Sequence, residues 1–169
     1  MRITGALLMV IGLAIMSRQT GAGDAYALAS GEGTRMSWFN ADMRLKASTR
    51  ALGAVEMTIG PGDEPPLHVH SRESEWFYVL DGTATFYVGD QVYPGGPGAF
   101  IALPQGIPHT FAVDSPTARL ILLNAPGGFE RMFELAPRTI DDAVSALRTY
   151  GVEVVGPHPR EQRRARGTS

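Results

Sequence analysis

The chain has 169 residues, enough for one domain with a sizeable core, and 44% of them are hydrophobic. Fifteen basic against seventeen acidic residues leave a net charge of −2, so no global basic field marks a nucleic-acid binder. Cysteine is absent, which excludes disulfides, thiolate ligands and a cysteine nucleophile. At the amino terminus, residues 3–16 form an apolar run behind a single Arg2, too short for a comfortable membrane span. The run reads as a signal-peptide core, with small-residue cleavage sites at Thr20-Gly21-Ala22 or Ala25-Tyr26-Ala27, or as sequence upstream of a true start at Met16. The first reading implies export, the second a cytoplasmic protein. Either way, residues 1–24 stand outside the domain expected over 25–156.

From Gly31 onward the pattern turns to short β segments, expected at 35–39, 45–48, 54–59, 67–70, 75–80, 83–88, 99–103, 109–113 and 119–124. Turns are marked by Pro61-Gly62, Asp81-Gly82, Gly89-Asp90, Pro94-Gly95-Gly96 and Pro104-Gln105-Gly106. So many short strands favour an all-β, double-sheet jelly roll. A short C-terminal helix is expected over 139–150, with Thr139 as N-cap, Asp141 and Asp142 in its first turn and Gly151 after its end. Residues 157–169, with Arg160, Arg163, Arg164 and Arg166, read as a basic, solvated, disordered tail rather than a surface for anionic partners. His158 in that tail is expected to be a surface residue.

Three of the four histidines lie in two short motifs. In His68-Val69-His70 the two imidazoles, two residues apart on a strand, point to one face and can share an ion. Glu75 follows five residues later, and His109 ends the run Leu103-Pro104-Gln105-Gly106-Ile107-Pro108-His109. Together they make an N3O ligand set with room for exchangeable ligands. Such a set suits one divalent transition metal (Fe2+, Mn2+, Ni2+, Co2+, Cu2+ or Zn2+) better than magnesium or calcium. Polar residues on an exposed strand face would account for His68 and His70 alone, but not for Glu75, His109 and the flanking glycines.

Asp81-Gly82 between two β-rich runs predicts a two-residue hairpin pairing Leu80 with Thr83, Val79 with Ala84, Phe77 with Phe86 and Glu75 with Val88. One face then carries Glu75, Phe77, Val79, Ala84, Phe86 and Val88, apolar except for the proposed ligand. The other carries Trp76, Tyr78, Leu80, Thr83, Thr85 and Tyr87, an aromatic surface expected to be covered by a second subunit or by the terminal segments. Glu75 has its place on this hairpin face, whereas Glu73, before the run, is assigned to a solvated bend. Phe77, Phe86 and Phe111 serve either core packing or a substrate pocket. In apolar surroundings Glu75 can also act as a general base.

These spacings resemble the cupin family. Its first motif, G-x5-H-x-H-x4-E-x6-G, is matched by Gly62, His68, His70, Glu75 and Gly82; its second, G-x5-P-x-G-x2-H-x3-N, by Gly98, Pro104, Gly106 and His109, with Val113 in place of the final Asn. Residues 83–97 separate the two, and the likeness extends over roughly 31–126. Within the family the chain is similar to quercetin 2,3-dioxygenase-like proteins through Pro66-Leu67-His68-Val69-His70, the run from Glu75 to Gly82, Pro108-His109 and Ala125-Pro126-Gly127-Gly128-Phe129-Glu130. The resemblance implies a cupin double-stranded β-helix in which His68, His70, Glu75 and His109 hold the metal. It also implies that Glu75 takes or shares the proton of a hydroxy-enone substrate while dioxygen inserts. Three functions are left standing: a metal-dependent dioxygenase on an aromatic or enolic small molecule, a non-oxidative isomerase, cyclase or lyase in natural-product metabolism, and a small-molecule binding module. A homodimer is expected.

Overall fold

The computed structural model describes residues 25–137 and 139–161; the expectations for residues 1–24 and for Arg163, Arg164 and Arg166 lie outside them. The described chain runs β1 (Thr34–Trp38), β2 (Ala41–Ser48), β3 (Gly53–Ile59), β4 (Leu67–His70), β5 (Ser74–Asp81), β6 (Ala84–Val88), β7 (Gln91–Gly95), β8 (Phe100–Leu103), β9 (His109–Val113) and β10 (Ala118–Ala125). A 3-10 helix (Phe129–Leu135), helix α1 (Ile140–Thr149) and strand β11 (Val152–Gly156) complete it. Two antiparallel sheets, β1-β2-β3-β10-β5-β8 and β11-β4-β9-β6-β7, pack face to face as a jelly roll.

Strand alternation fills the space between the sheets. On β5 the side chains of Glu75, Phe77 and Val79 are buried, while Tyr78 between them is exposed. Ala84, Phe86 and Val88 on β6 point inward in the same way. Phe77, Phe86 and Phe111 meet at ring-centroid distances of 5.2 to 5.7 Å. Truncating Phe86, fully buried among them, would cost on the order of 3–5 kcal/mol.

The expected hairpin at Asp81-Gly82 is corrected. Strand β5 pairs with β10 and β8, whereas β6 pairs with β7 and β9, so this turn carries the chain from one sheet to the other. The inward set is nevertheless the expected one, because parity depends on the strand and not on its partner. Gly82 sits at φ +75°, and a Cβ there would stand 2.3 Å from the Thr117 carbonyl oxygen, so the corner admits only glycine. The outer aromatics are consequently divided: Trp76 and Tyr78 lie on one sheet, Tyr87 on the other.

Two strands escaped the sequence pattern. In β7 the residues read as a turn, Pro94 and Gly95, pair with Thr85 and Ala84 on a sheet edge, where a missing N–H is tolerated. Strand β11 follows α1 and pairs along β4, with Val152 opposite His70 and Val154 opposite His68. Helix α1 starts as expected: the Thr139 side chain accepts from the Asp142 N–H, and the Asp142 carboxylate accepts from the Thr139 N–H.

His158 is not a surface residue; it is buried, and its Nε2 lies 3.0 Å from the Phe111 carbonyl oxygen. Arg160 donates to the Val113 carbonyl oxygen at 2.7 Å and ion-pairs with Asp114. The Val113 N–H donates to Glu64 Oε1 at 2.7 Å. Side chains thus satisfy the β9 backbone beyond its register pair with β4, His68 opposite His109.

Candidate metal centre

The four residues read from the two motifs converge. Strand β4 supplies His68 and His70, the start of β5 supplies Glu75, and the first residue of β9 supplies His109. All four are buried, and one ligand atom from each lies within 4.8 Å of the others. The turn between the second-motif Pro and His is tied to the first motif: Gly106, at φ +79°, donates its N–H to the His70 carbonyl oxygen at 2.9 Å.

The ring nitrogens are ordered by their partners. His68 Nδ1–H donates to the Pro66 carbonyl oxygen at 2.9 Å and His109 Nδ1–H to the Ile107 carbonyl oxygen at 2.8 Å. His70 Nδ1 bonds Glu73 Oε1. Every Nδ1 is therefore engaged, and every Nε2 is left for the centre. His109 Nε2 lies 3.1 Å and His70 Nε2 3.3 Å from Glu75 Oε2, and His70 Nε2 has no hydrogen-bond partner. Nitrogen lone pairs aimed at a carboxylate oxygen need a proton or a metal cation between them. This donor set fits a metal ion held by imidazole Nε2 and carboxylate oxygen, each imidazole oriented through its far nitrogen.

The electrostatics point the same way. Burial, aided by His109, pushes the His68 imidazole down to about 4, against the pull of Glu75, and keeps it neutral as a ligand must be. For His70, burial opposes the charged form, but Glu75 and then Glu73 outweigh it and raise the imidazole above its usual range. Burial alone would raise the Glu75 carboxyl; the surrounding His70, His109 and His68 overcome it and hold the group lower, as a carboxylate.

Glu73 departs from its expected place in a solvated bend. It is 3% exposed and points inward to His70, not to solvent. Its spacing from His70, three residues, carried no strand parity because residues 71–73 form the turn before β5.

Beside the cluster opens a cavity of about 300 Å³, with His68, Glu75 and His109 in its wall. Phe77, Phe111 and Phe129 line it together with Met132 and Phe133, so the pocket interior is aromatic. Phe77 and Phe111 thus serve core and pocket at once, whereas Phe86 is core alone. The 3-10 helix and the α1 residues Val144 and Leu147 were not anticipated as pocket wall; the i, i+4 spacing of Phe129 and Phe133 was the available signal. Asn40 and Asp63 also line the cavity, and Asn40 donates to Asp63 at 2.7 Å. No Lys or Arg is among the lining residues described. Val113, at the position where the motif has Asn, is packed in the core.

A family model described as "Cupin domain" matches residues 55–125. Quercetin 2,3-dioxygenase of Bacillus subtilis (strain 168) is 30% identical over 122 residues, which cover 70% of this chain and 36% of that protein. The chain therefore spans about a third of that relative's length. Among solved structures, KdgF from Halomonas sp. superposes with a TM-score of 0.57 at 20% identity, over 62% of this chain and 96% of that one. The Streptomyces nucleoside dehydratase Pac13 does so with a TM-score of 0.57 at 16% identity, over 82% and 98%. At such identities these two likenesses are of fold. Motifs, two-sheet barrel, clustered histidines and carboxylate, family match and sequence relative agree: this chain belongs to the cupin superfamily.

Proposed function

We propose that the chain is a metal-dependent enzyme, a dioxygenase acting on an aromatic or enolic small molecule. The observation that carries this reading is the meeting of the His68–His70–Glu75–His109 cluster with an aromatic-lined cavity of about 300 Å³, at the small end of ligand pockets. In this reading the four residues hold one divalent transition metal (Fe2+, Mn2+, Ni2+, Co2+, Cu2+ or Zn2+), which supplies Lewis acidity and, for a redox-active ion, a path to dioxygen. Phe77, Phe111 and Phe129 stack against a planar substrate and exclude water. Glu75, held as a carboxylate in the pocket wall, accepts the proton of the substrate hydroxyl. The sequence likeness to a quercetin 2,3-dioxygenase supports this reaction class.

A non-oxidative isomerase, cyclase or lyase uses the same base and the same ion. Glu75 in its carboxylate form favours it as the second reading, since proton abstraction alone needs no oxygen. A homodimer formed through the outer aromatic face of Trp76 and Tyr78 belongs to the same proposal. No described helix is long and apolar enough to cross a membrane.

The test is turnover with and without oxygen. Metal-loaded protein is screened against hydroxy-ketones, flavonols and polyketide-like phenols, following product and dissolved oxygen together. A dioxygenase consumes oxygen in proportion to product; full turnover under strict anaerobiosis transfers the assignment to the second reading.

A further inference from the structure

The three imidazoles of the cluster are not equivalent. His68 and His109 each give their Nδ1–H to a neutral backbone carbonyl two residues earlier, of Pro66 and Ile107. Only His70 turns its Nδ1 to a carboxylate, Glu73 Oε1, and both partners are buried, the His70 side chain wholly so and Glu73 all but 3%. The His70 ring is also held by two neighbouring rings. It stacks on His109 with planes 7° apart and centroids 5.3 Å apart, and meets the Phe129 ring edge-on at 4.6 Å. Its Nε2 is buried with no hydrogen-bond partner, 3.3 Å from Glu75 Oε2.

We infer that Glu73 is the positioning residue of the centre: its carboxylate fixes His70 in the Nδ1–H form with Nε2 aimed at the ion, and makes His70 the strongest of the three nitrogen donors. This rests on the reading that the cluster holds a metal. The physical reason is that an anionic acceptor pulls the Nδ1 proton harder than a carbonyl does and leaves more electron density on the opposite nitrogen. It also sets the charge of the site. With Glu75 coordinating and Glu73 behind His70, two buried carboxylates balance a divalent cation, so the loaded centre is close to neutral in a medium where net charge is costly.

The experiment measures affinity for Zn2+ alone, a redox-inert probe, by competition with a chromophoric chelator at fixed pH. Glu73→Gln keeps the size and an acceptor oxygen but removes the charge. The expected result is a Kd raised about 10–100-fold, the usual effect of losing a partner behind a ligand, with the melting temperature of the metal-free protein little changed. Glu64→Gln serves as control, because Glu64 is a nearly buried carboxylate that bonds the Val113 and Gly62 N–H groups and no imidazole. Equal weakening in both variants would show a general charge effect and overturn the assignment to Glu73; an unchanged Kd in Glu73→Gln would overturn it directly. If wild type itself binds no Zn2+, the metal reading fails along with it, an outcome distinct from either of these. Should Glu73→Gln not fold, nitrogen-15 correlation spectra of Zn2+-loaded wild type decide the matter. His70 must then show a protonated Nδ1 whose proton resonates downfield of those of His68 and His109; an Nδ1 that lacks its proton, or matches the other two, sinks the inference.

Discussion

His68 and His109 stand opposite each other as a register pair across β4 and β9, their rings 4.6 Å apart, although forty residues separate them in the chain. This single pairing closes the first motif onto the second. It also sets the two rings side by side in the buried cluster.

Purified protein is accordingly expected to carry about one transition-metal ion per chain, and His68→Ala or His109→Ala to lose most of it. Elemental analysis after dialysis is the measurement. A chelated, metal-free protein that keeps full activity would refute the metal centre.

Acid should destabilise the metal-free fold through His68. Its imidazole is held at about 4 in the folded protein, below the unfolded value of 6.5. Between these values the unfolded chain binds a proton that the folded one does not, so stability from this group is present above pH 6.5 and is lost as pH falls toward 4. The full loss is on the order of 3 kcal/mol. His70 has the opposite sign: its folded value is raised, so its contribution is present below pH 6.5 and fades as pH rises through the raised value. Chemical denaturation of metal-free wild type across pH 4–7.5 should show the acid loss, and His68→Gln should flatten it. An identical slope in the variant would place the titrating group elsewhere.

Glu75→Gln retains size and one ligand oxygen but cannot accept a proton. Some metal should remain bound while turnover drops about 10²–10⁴-fold, the range for a missing general base. Single-turnover kinetics on metal-matched samples check this, and an unimpaired variant would leave Glu75 as a ligand only.

Assembly turns on the outer face of the larger sheet. Register places Leu123, Trp76 and Ala102 in one row and Ile121, Tyr78 and Phe100 in the next, with Phe100 60% exposed. Burial of this patch in a homodimer predicts that Trp76→Glu shifts the mass toward monomer in light scattering. A monomeric wild type would mean that the face is not a subunit contact.

Residue parity along each strand was legible in the sequence, and with it the inward-facing set from Glu75 to Val88 and the shared inward direction of His68 and His70. Local chemistry sufficed there: a strand's side chains alternate whatever its neighbour is, and Thr139 caps α1 through atoms three residues away. Partner choice was not local. The same Asp81-Gly82 pair suits a hairpin and a sheet-to-sheet corner, and only the approach of Thr117 and the pairing of β5 with β10 decide between them. Glu73 and His158 follow the same logic. A polar residue in a turn or tail reads as solvated until tertiary structure supplies a buried partner, here the His70 ring and the Phe111 carbonyl, to offset the cost of taking it out of water.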